Sequence, residues 1–123
     1  MAKRNQRSKD KTIYGIVGLG RFGTALATEL ARSGAELIAL DNDEEKVREI
    51  REYTENAFVV HTLDKRSLAE TGIGNCDVAV VCIGEQMDVS ILTTLNLVSL
   101  GIPKVIATDK IGRAVQQECR DRS

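Results

Sequence analysis

The chain has 123 residues, 42% of them apolar, with a formal charge of −1; this is the size of one globular domain and short for separate cofactor and substrate domains. The balanced charge leaves no excess of basic residues to neutralise a phosphate backbone, and two Tyr and two Phe without a Trp offer no stacking platform, so nucleic acid is not an expected partner. No apolar run approaches the roughly 18–20 residues of a bilayer span and no secretory pattern is present, so a cytoplasmic protein without direct membrane insertion is expected.

Residues 1–12 carry Lys3, Arg4, Arg7, Lys9 and Lys11 against Asp10 and no apolar periodicity, which reads as a basic flexible arm. Ile13 to Val17 reads as a short strand. It runs into Gly18-Leu19-Gly20-Arg21-Phe22-Gly23, a G-x-G-x-x-G sequence placed where a strand turns into a helix. In that setting the first glycine makes the tight turn, the second lets backbone approach a pyrophosphate, and the third lets helix and strand pack closely. The helix, expected from Arg21 to Arg32 with a stop at Ser33-Gly34, aims its partly positive N-terminus at whatever anion sits there. The next strand, Glu36 to Leu40, is followed by Asp41, roughly twenty residues beyond the glycines, where a dinucleotide fold keeps the carboxylate that receives two ribose hydroxyls. The alternative for Asp41 is a residue that merely joins the turn; its place at the carboxyl end of the second strand favours the ribose role. Asn42 follows it, Asp43 is the expected helix cap, and in the second helix Val47 and Ile50 face inward while Lys46, Arg48, Glu49 and Arg51 face water.

Ala57 to His61 is a third apolar strand, followed by Thr62-Leu63-Asp64 and a helical segment from Arg66 to Thr71. His61 is the sole histidine, and no nucleophile or carboxylate stands at a spacing that would make it catalytic; its place at the carboxyl edge sets it near a bound nucleotide. Asp77 to Ile83 is a fourth strand, continuously apolar as expected when helices cover both faces, and Gly84-Glu85 ends it at the same edge. Asp88 to Leu100, with Val89, Leu92, Leu95 and Leu97, reads as a largely buried helix closed by Gly101 and Pro103. Lys104 to Thr108 is a fifth strand and Ile111 to Arg120 a last helix. Cys76, Cys82 and Cys119 lack C-x-x-C spacing and are expected as reduced thiols, with no disulfide framework and no metal site. The alternation predicts a doubly wound parallel sheet in three αβα layers, a Rossmann-like α/β fold over residues 13–120 with a tail at 121–123, and a ligand crevice outside the carboxyl ends of the strands. Gly18 to Gly23, Asp41, His61, Thr62, Gly84 and Glu85 all fall along that edge.

Ile16-Val17-Gly18-Leu19-Gly20-Arg21-Phe22-Gly23, Leu40-Asp41-Asn42-Asp43, Gly72-Ile73-Gly74-Asn75-Cys76-Asp77-Val78, Ile83-Gly84-Glu85 and Ser90-Ile91-Leu92-Thr93-Thr94-Leu95 together strongly resemble the RCK (KTN, TrkA-N, Trk/Ktr-type) domains, regulators of potassium channels and transporters. The resemblance covers about residues 11–117. It implies a regulatory domain that binds NAD(H), NADP(H), ATP or ADP and performs no established chemistry. It also implies a homodimer or a ring, commonly of eight domains, held at the inner face of the membrane by an integral-membrane potassium transporter or channel subunit. Carried over by position, Gly18, Gly20 and Gly23 match the phosphate turn with Leu19 and Phe22 between them, Arg21 matches an arginine beside the phosphates, and Asp41 matches the ribose acid. Where members often have Gly-Asp-Ala-Thr-Asp after the third strand, this chain has Val60-His61-Thr62-Leu63-Asp64, so a neutral imidazole, accepting at one nitrogen, replaces the carboxylate that meets adenine. Thr108-Asp109-Lys110 replaces the Lys or Arg that many members have at the end of the fifth strand.

Three functions follow, the third and weakest a structural ring-former with a vestigial site. The first is a ligand sensor in which nucleotide identity, NAD(H) or ATP/ADP, biases the geometry of a dimer or ring. The second is the NAD-binding half of a dehydrogenase truncated before its catalytic domain; it would need an acid/base constellation that the chain does not provide. Asp41 argues against a 2′-phosphate, since no Arg follows it directly.

Overall fold

A computed structural model describes residues 12–83, 87–108 and 114–118. The basic segment before Thr12, Gly84, Glu85, Cys119 and the tail at 121–123 lie outside the described residues. The elements are β1 (Ile13–Val17), α1 (Arg21–Arg32), β2 (Glu36–Asp41), α2 (Glu44–Ile50), β3 (Ala57–Val59), α3 (Lys65–Glu70), a single 3₁₀ turn (Ile73–Asn75), β4 (Val78–Val81), α4 (Met87–Ser99), β5 (Lys104–Thr108) and β6 (Ala114–Glu118).

The sheet order among the described residues is β3-β2-β1-β4-β5-β6. β1 pairs in parallel with both β2 and β4, Val17 standing opposite Leu40 on one side and Val81 on the other. The strand order therefore reverses at β1, and successive strands lead away from it in both directions; this is the switch point at which open α/β sheets leave a crevice. Because side chains alternate across a strand, Ile16 and Val80 pack in a layer with Ala27 of α1 and Val47 and Ile50 of α2. Val17, Ala79 and Val81 pack in the other layer with Leu68 of α3 and Leu97 of α4. Both faces of β1 and β4 are covered, which is why these strands read as continuous apolar runs.

Local sequence sets the helix ends. α1 closes in a Schellman motif: Gly34 takes φ 88°, its N–H donates to Ala31 O at 3.0 Å and the Ala35 N–H donates to Leu30 O at 3.0 Å, the left-handed residue being where glycine costs least. Asp43 caps α2 by accepting from the Glu45 N–H at 2.9 Å. Asp64 caps α3 by accepting from the Ser67 N–H at 2.9 Å, and that bond together with the Ser67 hydroxyl holds its carboxyl below the usual carboxylate range.

Two expectations are corrected. The last helix, expected over Ile111 to Arg120, is replaced at Ala114–Glu118 by a strand antiparallel to β5, with Thr108 opposite Ala114 and Lys104 opposite Glu118. A connection as short as residues 109–113 cannot make the crossover that a parallel strand needs, so the chain returns as a hairpin, and adjacent Ala114 and Val115 supply no helical stripe to bury. The sheet is thus parallel through five strands with an antiparallel edge. The second correction concerns α4, which is only half buried. Its inward face is Ser90, Thr93, Thr94 and Leu97, with Thr93 1% and Leu97 0% exposed, whereas Ile91, Leu92 and Leu95 are 56%, 60% and 57% exposed. The small hydroxyl residues bring α4 close to the sheet, and the Thr94 hydroxyl returns its hydrogen bond to Ser90 O at 2.8 Å. The bulkier Ile91, Leu92 and Leu95 are left outside.

Candidate functional site

The cleft forms where the carboxyl ends of β1, β2 and β4 meet the start of α1. Gly18 has φ 103°, a region L side chains rarely enter, and a Cβ there would stand 2.9 Å from the Cys82 carbonyl oxygen. The turn is thus wedged between β2 and β4: Gly18 N–H donates to Leu40 O at 2.8 Å and Cys82 N–H donates to Val17 O at 2.7 Å. A Cβ on Gly23 would overlap the Gly18 carbonyl, so the first turn of α1 lies directly on the loop. Gly20 differs, because a Cβ on it would meet nothing within 4 Å; it would project into open space beside the cleft. The backbone N–H groups of Arg21, Phe22 and Gly23 meet no acceptor among the described residues, as expected of a helix start that is open to an anion.

Asp41 ends β2 and its carboxylate is pinned from both sides. Oδ2 accepts from the Leu19 N–H at 2.6 Å and Oδ1 accepts from the Asp43 N–H at 2.8 Å. Each oxygen keeps a further lone-pair direction, so the carboxylate can receive two more donors without rotating. Leu19 itself is buried, 1% exposed, and acts through its backbone.

The cleft beside these groups has a volume of about 470 Å³ and is walled by Val17, Gly18 and Gly20, by Leu40, Asp41, Asn42 and Lys46, by Val60, His61 and Leu63, and by Cys82, Ile83 and Val89. Of the residues expected at the site, Gly18, Gly20, Asp41, Asn42, His61, Leu63 and Ile83 stand together in that wall. Leu19 and Gly23 are buried beneath it. Arg21 and Phe22 are exposed at the start of α1 and are not part of the wall. Thr62 hydrogen-bonds Ser67 through the two hydroxyls at 2.9 Å and lines a neighbouring hollow that His61 also borders.

Lys46 and Val89 were not expected at the cleft. Lys46 reads in the sequence as a water-facing residue of α2, and no local pattern marks it as part of the wall. Val89 is placed there by α4, whose orientation the sequence pattern does not define. α4 also grips the loop after β3: the Asn96 side-chain amide donates to Leu63 O at 3.0 Å. Cys82 lines the cleft; burial pushes its thiol up to about 11, despite the Thr108 hydroxyl beside it, and burial pushes Cys76 up to about 12. Both are therefore protonated at neutral pH and poor nucleophiles. Among the described residues no group of three His, Cys, Asp or Glu side chains is placed to hold a metal ion, and no helix is long and apolar enough to cross a membrane.

The cleft thus offers a glycine turn open at Gly20, free helix amides, an oriented carboxylate and an apolar floor. Comparison with solved structures supports the fold alone: a variant of the imine reductase from Myxococcus stipitatus, solved with NAD+, superposes with a TM-score of 0.60 at 17% identity, over 80% of this chain and 32% of the reductase. Sequence likeness is closer elsewhere. Ktr system potassium uptake protein C of Bacillus subtilis (strain 168) is 39% identical over 92 residues, covering 75% of this chain and 42% of that protein. Ktr system potassium uptake protein A of the same organism is 38% identical over 99 residues, covering 80% and 44%. The chain therefore spans less than half the length of these relatives. Residues 14–116 match the TrkA-N domain, and with the glycine turn, Asp41 and the sheet order in place, the chain belongs to the TrkA-N domain family.

Proposed function

We propose that this chain is a nucleotide-binding regulatory domain of a potassium transport system, which binds NAD(H) or ATP/ADP at the β1–α1 cleft and acts on a membrane-embedded transporter or channel subunit from its cytoplasmic side. The observation that carries the nucleotide reading is the Asp41 carboxylate, held by the Leu19 and Asp43 amides with lone pairs to spare, as a ribose acceptor must be. The cleft residues fit the ligand chemistry: Gly20 leaves space where a side chain would obstruct a pyrophosphate, the amides at the start of α1 would receive the phosphates, and Asp41 would take the ribose hydroxyls. Leu63, Val60 and Ile83 would supply the apolar bed for the adenine, with His61 at its edge. Arg21, outside the wall of this cleft, would reach phosphates from the rim, or those bound by a neighbouring copy.

The regulatory reading rests on the relatives' role in potassium uptake, named for Ktr systems, and on the bare apolar face of α4, Ile91, Leu92 and Leu95, which a second copy of the chain would cover in a dimer or ring. Catalysis is not part of the proposal, which follows the relatives named for potassium uptake. Calorimetric titration with NADH, NAD+, ATP and ADP, alongside Asp41→Ala, tests the nucleotide reading. Saturable binding abolished by the substitution supports it; no heat with any nucleotide, or equal affinity in the variant, refutes it.

A further inference from the structure

Among the described residues the titratable side chains that line the cleft are Asp41, Lys46, His61 and Cys82, and of these Lys46 is the cationic one. It lines the same cleft as Asn42 and Asp41, the latter the carboxylate that the proposed nucleotide would engage through its adenosine ribose. Asp43, Glu44, Glu45 and Glu49, its acidic neighbours on the same segment, are exposed and are not in the wall. The Oδ1 of Asp43 is occupied by the Glu45 amide. Among the described residues the ion pairs are Arg32 with Glu29 and Arg66 with Glu70, so Lys46 has no carboxylate partner to compete with a ligand. The charge of Asp41 is meanwhile partly met by the two backbone amides that hold it. A carboxylate alone at this place repels a phosphate on the ribose 2′ oxygen. One that is held by two amides and shares the cleft wall with an ammonium group does so much less, because a charge-assisted contact to phosphate is among the stronger hydrogen bonds.

We propose that Lys46 reads the ribose 2′ position and gives this cleft tolerance for 2′-phosphorylated dinucleotides, against the exclusion that Asp41 by itself would impose. The proposal rests on the nucleotide reading above. A 2′-hydroxyl ligand is held by Asp41 and leaves Lys46 in solvent, whereas a 2′-phosphate ligand draws the ammonium inward on its flexible four-carbon stem.

The experiment follows nicotinamide fluorescence while titrating the wild-type chain, Lys46→Gln and Lys46→Arg with NADH and with NADPH at one fixed, moderate ionic strength. The wild type is expected to bind NADPH within roughly tenfold of NADH. Lys46→Gln is expected to weaken NADPH by about tenfold, the size of one charge-assisted phosphate contact, while moving NADH by less than about twofold, and Lys46→Arg to restore NADPH. An NADPH-to-NADH ratio that is the same in Lys46→Gln and wild type overturns the role of Lys46 and leaves the nucleotide reading standing. So does a wild type that binds NADH and rejects NADPH by about a thousandfold or more, since Asp41 then dominates. A wild type that binds neither dinucleotide nor ADP overturns the nucleotide reading itself, and this proposal with it.

Discussion

Replacing Leu92 and Leu95 by Ala is expected to abolish self-association while leaving the monomer as stable as before. In the single chain these side chains are 60% and 57% exposed, so their outer halves support nothing in the monomer. Exposed substitutions of this kind change stability by no more than about 0.5 kcal/mol, and Ala is the better helix former. In a dimer built on α4 the exposed remainder would be covered. Full burial of a leucine stabilises by about 1.5–3 kcal/mol; covering a little over half of one, less the methyl that Ala retains, leaves about 1 kcal/mol per side chain. A two-fold contact uses the same patch twice, so the double variant removes four such side chains, about 4 kcal/mol in all, or between a hundredfold and a thousandfold in the dimer dissociation constant. Sedimentation equilibrium over a range of concentrations, with thermal unfolding on the same samples, measures both quantities. A variant that dimerises as tightly as the parent, or one that loses several degrees of melting temperature, refutes the assignment of this face to an interface.

Other substitutions test the cleft and its frame. Gly23→Ala must push the Gly18 carbonyl away from its place under α1 and is expected to destabilise the fold by about 1–3 kcal/mol, lowering the melting temperature by roughly 4–8 °C per kcal/mol; an unchanged melting temperature would show that the turn can shift at no cost. Gly20→Val, with open space around its Cβ, is expected to leave stability within about 1 kcal/mol yet abolish nucleotide binding. Asn96→Leu removes the amide that holds Leu63 O and is expected to cost about 1–2 kcal/mol, with faster amide exchange confined to the loop after β3 and weaker binding of adenine nucleotides. The Asp64 carboxyl is lowered by its bonds to Ser67, so its cap contributes fully above the unfolded-state value near 3.9 and is lost as pH falls through the lower folded value. Acid unfolding of Asp64→Asn is therefore expected to show a flatter pH dependence below about pH 4 than the parent.

Much of the cleft half of the fold can be read in the sequence, because there local chemistry and long-range geometry agree. The glycines at 18, 20 and 23, the apolar run into Val17 and the acid closing β2 each have a backbone reason to be where they are, and the caps Asp43 and Asp64 and the Gly34 stop define helix ends without help from the rest of the chain. The parts that are not legible depend on partners distant in sequence. α4 is apolar on more than one side, so periodicity marks a helix but not which face meets the sheet; the choice fell to Ser90, Thr93 and Thr94 because their small side chains allow close approach to the sheet. β6 depends on the open edge of β5 and on a short connection, and neither appears in the residue pattern of 111–120. Lys46 reads as one more water-facing cation on α2, and it is the approach of β3 and α4 that turns its surroundings into a cleft wall.

Conversion of nucleotide occupancy into a change of assembly, the regulatory part of the proposal, is tested most directly by the self-association constant of this chain without ligand and at saturation with ADP, ATP, NADH and NAD+, by sedimentation equilibrium. A ligand shifts assembly only by its differential affinity for the monomeric and assembled states, so at least one of these constants is expected to differ from the ligand-free value by several-fold or more, an energy of about 1 kcal/mol or above. Identical constants in all conditions, with binding confirmed in the same samples, would contradict it.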